Sequence, residues 1–184
     1  MDKNSKAYLT SIIILNYNGG KHLLECVESV FGTKNIPIEI ILIDNNSTDK
    51  SQSECKEKFP DVKLIQNDVN VGLSARNLGV KKSKGEYIVF LDSDTIVDNN
   101  WLNILHDSYK KNGVGLYQPK LIDKNNKNLI NSAGNMINVF GLGFSRGKGK
   151  EDKGQYEKFQ TISYTSGACT FSSSKIIKKI GKVD

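Results

Sequence analysis

Two carboxylates one residue apart, Asp92 and Asp94, follow the apolar run Tyr87-Ile88-Val89-Phe90-Leu91. A run of that length and content reads as a buried strand. At its end, Asp92-Ser93-Asp94 lets both carboxylates reach one crevice as the chain turns. Carboxylate oxygens suit a hard divalent cation, Mg²⁺ or Mn²⁺, which keeps several waters and takes further ligands from substrate phosphates. Asp94 and Asp92 are therefore the candidate metal ligands. The competing role of an isolated Asp-x-Asp is a turn cap, and the strand in front of it makes that role the weaker one.

Asp44 stands in the same position after Ile40-Ile41-Leu42-Ile43. A carboxylate there can accept from a base imide N–H or a ribose hydroxyl. The residues behind it, Asn45 to Asp49, serve equally well as caps of a turn or helix. A third polar cluster, Asn16-Tyr17-Asn18-Gly19-Gly20, breaks the run Ser11 to Leu15. The stretch Asn70 to Gly79 is the most distinctive. Its Gly72 and Ser74 suit a helix N-terminus, where free N–H groups attract anions. Arg76 can grip phosphate, stack on a base or form a surface ion pair. Asn77 and Gly79 can let that helix pack closely on a sheet.

The elements that must hold these residues alternate. Strands are expected at Ser11 to Leu15, Ile38 to Ile43, Val62 to Ile65 and Tyr87 to Leu91. Helices are expected after Gly20, up to about Phe59, over Val71 to Lys82 with Gly85 as the stop, and from Trp101 to Tyr109. That alternation implies an α/β fold with a mostly parallel central sheet flanked by helices. Ligands of such sheets bind at the carboxyl ends of the strands, where three of the polar clusters fall. After about Gly113 the pattern becomes β-rich. Val114 to Ile122, Asn128 to Phe140 and Ile162 to Phe171 read as β segments, Gly141 to Gly154 as a mobile loop, and Ser174 to Ile180 as a short helix with an αL stop at Gly181. Residues 1–112 and 113–184 are expected to be two halves of one domain, 1–184.

Composition narrows the function. Apolar residues make up 38% and charged residues 25%, as in an ordinary globular chain. The 26 basic and 20 acidic residues leave +6, mostly as scattered lysine with a cluster from Arg146 to Lys153. A solvated surface is the preferred reading, with attraction to polyphosphates or an anionic membrane face as the sharper one. Nucleic acid is disfavoured, because no basic segment is interleaved with aromatics. Cys26, Cys55 and Cys169 are odd in number and lack metal spacing, as expected of reduced, partly buried thiols in a cytoplasmic protein. His22 and His106 lie far from them, which argues against zinc. Met1 to Thr10 lacks the apolar core of a signal peptide.

Together, Ser11 to Asn18, Ile43 to Asp49, Asn70 to Gly79 and Phe90 to Asp94 resemble the inverting GT-A glycosyltransferases of family two. The resemblance is nearest to the rhamnosyltransferase-like branch of cell-surface polysaccharide synthesis, and it covers residues 11 to about 102 in order and spacing. It implies a GT-A fold and transfer of a sugar from a UDP- or dTDP-linked donor to a saccharide or lipid-linked acceptor, with inversion. Peripheral association with the inner membrane face is the corresponding location. Residue by residue, it implies that Tyr17 and Asp44 hold the nucleobase with help from Asn46 and Arg76. Asp92 faces the ribose or sugar, and Asp94 ligates the metal. Asn16, Asn18 and Ser93 complete the nucleotide-sugar set. The family's general base follows a Gly-x-x-Asp stretch that Gly181 to Asp184 resembles, so the base is expected beyond Asp184 and the chain is expected to be truncated. The rival reading is a nucleotide-sugar-binding domain without catalysis. Sugar nucleotidyltransferases and dinucleotide dehydrogenases are set aside, because Asn16 to Gly20 lacks both the phosphate-loop arginine and Gly-x-Gly-x-x-Gly.

Overall fold

The computed structural model describes residues 8–184; the first seven positions of the amino-terminal segment lie outside the described residues. Its first part alternates as the hydrophobic pattern requires. Strand β1 (Thr10–Asn16) leads to helix α1 (Gly20–Phe31), β2 (Ile38–Asp44) to α2 (Ser51–Lys58), and β3 (Lys63–Gln66) to a 3₁₀ turn, Gly72–Ala75, that runs into α3 (Arg76–Lys82). Strand β4 (Tyr87–Asp92) and helix α4 (Trp101–Asn112) follow. The second part holds β5 (Leu121–Ile122), β6 (Ile130–Ser132), β7 (Asn135–Ile137), β8 (Gly143–Ser145), β9 (Cys169–Ser173) and α5 (Ser174–Ile180).

The central sheet has the order β3-β2-β1-β4-β9, and only β9 runs antiparallel. Both faces are buried, so the inner strands β1, β2 and β4 are largely apolar rather than alternating. On one face Ile12, Ile14, Leu42, Val89 and Leu91 pack with residues of α1, α2 and α4. On the other, Ile13, Ile41, Ile43, Ile88 and Phe90 meet Ala75 and Ile177. Gly79 lets α3 approach closely, because a Cβ there would stand 2.5 Å from Ile13 Cγ2. Tyr117 and Phe171, from beyond residue 113, belong to the first of these clusters.

Several sequence expectations need correction. The helix expected from Val71 starts as a 3₁₀ turn, in which Leu73 is half exposed. Gly85 does not stop that helix, which ends at Lys82. Gly85 instead packs on the backbone of Ser11 and Leu9, with its N–H donating to Ser11 Oγ. The long β segments expected after Gly113 are short strands. Glycines such as Gly134 (φ 101°) interrupt them with backbone conformations that strands do not use. The expected mobile loop, 141–154, contains β8 and is tied to β6, with Gly149 N donating to Ile130 O and Ile130 N to Lys150 O. Gly181 has positive φ, but its ψ of −154° is not αL. Near the end of the chain, Val183 is clasped by Asn77, whose amide bonds both its N–H and its carbonyl.

His106 is buried on α4 between Tyr87 and Phe171, and a 2.9 Å hydrogen bond joins its Nε2 to Thr10 Oγ. Burial, aided by Lys110 and opposed by Asp107, depresses its pKa to about 4. The folded protein therefore binds this proton more weakly than the unfolded chain. The contribution is full above the unfolded value near 6.5 and is lost as pH falls towards 4. Urea denaturation at pH 7.5 and pH 4.5 should show wild type losing roughly 2–3 kcal/mol more than His106→Gln. Equal losses would mean that this histidine is not held neutral.

Candidate functional site

The strand order reverses between β1 and β4, and the register decides what meets there. Asn16 lies beside Asp44, and Leu15 beside Asp92. The carboxyl ends of β2, β1 and β4 thus stand in a row, the usual position of a ligand crevice in such sheets. A crevice of about 370 Å³ opens at this end. Leu15, Tyr17 and Leu73 give it an apolar side. Asn45, Asn70 and Gly72 form its back, and Asp92, Ser93 and Asp94 its acidic side.

Tyr17, Asp92, Ser93 and Asp94 are therefore brought together as their positions in the sequence imply. Asp94 is exposed, and among the described residues its carboxylate has neither a hydrogen bond nor an ion pair. Asp92 uses Oδ1 to accept from Arg76 Nη2 at 2.5 Å. Among the described residues no group of three His, Cys, Asp or Glu side chains forms a metal cage. One or two carboxylates with free oxygens in an open crevice fit Mg²⁺ or Mn²⁺ when substrate phosphates supply the remaining ligands.

Arg76 is neither a surface ion pair nor on the crevice wall. It is 4% exposed, donates from Nη2 to Asp92 and to Gly167 O (2.9 Å), and lies 5.5 Å from the Phe90 ring centre. Burial lowers its pKa from the ordinary arginine value while Asp92 opposes that, and the guanidinium stays charged. Burial likewise raises the Asp92 carboxyl, against Arg76 and with help from Asp94. The pair ties the end of β4 to the turn before β9.

Asp44, Asn16, Asn18 and Asn46 fall behind or beside the crevice. Asp44 is 2% exposed, its Oδ1 accepting from Asn16 Nδ2 (3.0 Å) and its Oδ2 from Ser47 N (3.1 Å). Asn16 also donates to Ser47 Oγ and Ser51 Oγ. Gly19 is required beside it, since a Cβ there would overlap Asn16 Oδ1. Asn18, at φ 52°, receives Thr48 N on its Oδ1 and donates its own N–H to Ser47 Oγ. Asn46 is exposed at φ 68° in the turn. These bonds lock the loop after β1 to the loop after β2, the capping role that the same residue types can play.

Asn45 is the residue that sequence reasoning undervalued. Its Nδ2 donates to Asn70 Oδ1 (2.6 Å) and Gly72 O (3.1 Å), and its Oδ1 accepts from Asn67 Nδ2 (3.0 Å) and Val71 N (3.2 Å). One buried amide therefore fixes the whole 67–72 wall. Two asparagines 25 residues apart, each next to a strand end or a glycine turn, were the available signal. Nearby thiols offer no nucleophile. Cys26, which donates to Asp92 O, and Cys169 are free and buried, and burial pushes both pKa values up to about 12. Cys55 is also free and buried.

The family model described as glycosyl transferase family 2 matches residues 11–181. The glycosyltransferase GlyG of Streptococcus pneumoniae serotype 4 is 36% identical over 107 residues, 56% of this chain and 36% of GlyG. The minor teichoic acid biosynthesis protein GgaB of Bacillus subtilis is 37% identical over 115 residues, 58% of this chain and 13% of GgaB. This chain therefore matches well under half the length of these relatives. Among solved structures, Staphylococcus aureus TarS 1–349 in complex with UDP-GlcNAc superposes with a TM-score of 0.62 at 20% identity, over 93% of this chain and 47% of that one. The Pyrobaculum calidifontis mannosyltransferase PcManGT, in complex with GDP-Man and Mn²⁺, gives 0.66 at 15% identity, over 98% and 48%. At these identities the structures establish the fold, a GT-A-like arrangement with a mostly parallel sheet.

The inward bonding of Asp44 generates a test. Asp44→Asn cannot accept from both Asn16 and Ser47 through equivalent oxygens, so stability should fall by about 1–3 kcal/mol. The ratio of UDP to ADP affinity should hold. Denaturation and calorimetry on the variant check both, and a changed ratio at unaltered stability would put Asp44 on the base instead.

Proposed function

The chain belongs to glycosyl transferase family 2, and from that membership we propose that it moves a sugar from a nucleoside diphosphate donor to a saccharide or lipid-linked saccharide. The reaction proceeds with inversion, in cell-surface glycan synthesis at the cytoplasmic face of the membrane. The observation that carries this reading is the free Asp94 carboxylate beside Asp92 at the strand-order reversal. GlyG, a glycosyltransferase, supports the transferase reading, and GgaB, a minor teichoic acid biosynthesis protein, supports the glycan assignment. The donors named with the two solved structures support a nucleotide sugar as ligand.

In this reading Asp94, with Asp92 beside it, holds Mg²⁺ or Mn²⁺, which when bound neutralises the diphosphate and favours its departure. Tyr17 and Leu73 flank a flat base, and the Asn45-fixed wall sets the width of the slot. A UDP- or dTDP-linked donor is the proposed substrate, with Asp44 and Asn46 shaping the base end from behind the wall. Arg76 holds Asp92 so that its free Oδ2 meets a sugar or ribose hydroxyl. A general base must take the acceptor proton. Asp92 is paired with arginine and Asp94 would be taken up by the cation when it binds, so in this reading the base would come from outside the crevice lining.

Calorimetry with UDP in Mn²⁺ and in EDTA tests the metal role, and transfer from a radiolabelled donor tests the activity. Asp94→Ala should bind UDP in Mn²⁺ at least on the order of 10–100-fold more weakly, the range seen even for loss of outer-shell partners. Its affinity in EDTA should match that of wild type. Equal wild-type affinity with and without metal would remove Asp94 from the ligand set.

A further inference from the structure

From Gly134 to Ser145 there is no charged residue, in a chain of which a quarter is charged. This stretch forms the β7–β8 hairpin, with Met136 opposite Phe144. At its tip Val139 is 95% and Phe140 85% exposed, and Ile137, Leu142 and Phe144 are each more than half exposed. So many adjacent exposed apolar side chains at one turn mark a surface that something apolar covers. Four backbone N–H groups of the tip already have partners. Asn138 Oδ1 accepts from Phe140 N and Leu142 N, Asn138 N donates to Leu142 O, and Gly141 N donates to Asn138 O. These N–H groups do not depend on water, so their transfer to a low-dielectric medium avoids the usual cost of unpaired amides.

The charges behind the tip identify the medium. Lys148 and Lys150 are exposed and have no ion-pair partner among the described residues. Arg146, by contrast, turns inward onto Ala133 O and the Tyr156 ring, and Lys153 pairs with Glu151. We propose that the β7–β8 hairpin is an interfacial membrane anchor. Its tip enters the boundary between headgroups and acyl chains, and Lys148 and Lys150 meet anionic lipid phosphates. A second copy of the chain fits less well, because it would bring the same two lysines together on a molecule of net charge +6.

The base of the hairpin is linked to the Arg76–Asp92 pair. Asn135 N donates to Tyr164 O, and three residues later Gly167 O accepts from Arg76. Three residues span at most roughly 11 Å. An anchored hairpin is therefore joined to the Arg76–Asp92 pair by a short segment. The anchor is independent of the transferase reading, since lipid binding is measured without donor or acceptor.

The test is co-sedimentation of the 184-residue chain with phosphatidylcholine vesicles, with and without a phosphatidylglycerol fraction. Binding should require the anionic lipid. Phe140→Asp and the double variant Lys148→Ala/Lys150→Ala should each lower the partition coefficient on the order of tenfold or more, with circular dichroism unchanged because these side chains are exposed. Phe140→Trp should give a blue-shifted emission that brominated acyl chains quench. Equal binding to neutral vesicles, no sedimentation with either, or indifference to these variants would overturn the anchor. So would a lipid-free dimer in ultracentrifugation that Phe140→Asp dissolves, which would make a second copy the occupant.

Discussion

The site depends on the register of β1 between its two parallel neighbours. Pairing Asn16 with Asp44 and Leu15 with Asp92 brings three strand ends to one edge of the sheet. Side chains alternate along a strand, so a slip of one residue would turn Asn16 away from Asp44 and move Asp92 off the crevice. The isoleucine-rich runs of β1 and β2 prevent this slip only in combination with what flanks them. Both faces of the sheet are apolar, so hydrophobic burial alone discriminates weakly between registers. The polar lock of Asn16, Asp44, Ser47 and Ser51 supplies the discrimination, since any other register leaves a buried amide and a buried carboxylate unpaired.

The buried Arg76–Asp92 pair does for the other side of the crevice what that lock does for the first. An arginine taken out of water is tolerable because it meets both a carboxylate and the Gly167 carbonyl. Among the described residues its Nε nevertheless finds no partner, so the arrangement is not optimal for stability alone. It favours a fixed Asp92, which leaves Oδ2 free at the crevice. Asp94, two residues on, has no such support and stays available.

The strand-helix alternation was legible because β-branched runs and helical spacing are strong local signals, and the order of Asp44, Asp92 and Asp94 at strand ends followed from it. Which polar side chain faces the crevice was not legible. Asp44 and Asn45 are adjacent and chemically alike as hydrogen-bonding groups, and only the path of the 67–72 loop decides that Asn45 lines the wall while Asp44 turns inward. The second half was read too coarsely for a related reason. Its apolar residues are frequent enough to suggest long strands, but the positive-φ glycines cut them short, and a single sequence does not distinguish a glycine that interrupts pairing from one that merely sits in a turn. The buried setting of Arg76 was not legible either, because its partners, at positions 92 and 167, are not local.

The lone antiparallel strand of the main sheet has a consequence for biogenesis. β9 covers the outer edge of β4, yet Cys169 is 77 positions after Asp92 (169 − 92). At a synthesis rate of about 5–20 residues per second, the edge Tyr87 to Leu91 emerges several seconds before the strand that closes it. An apolar, unpaired edge invites pairing with another nascent chain. The interval between these two segments is thus the vulnerable period of the molecule on the ribosome, and slowed translation between them would lengthen it.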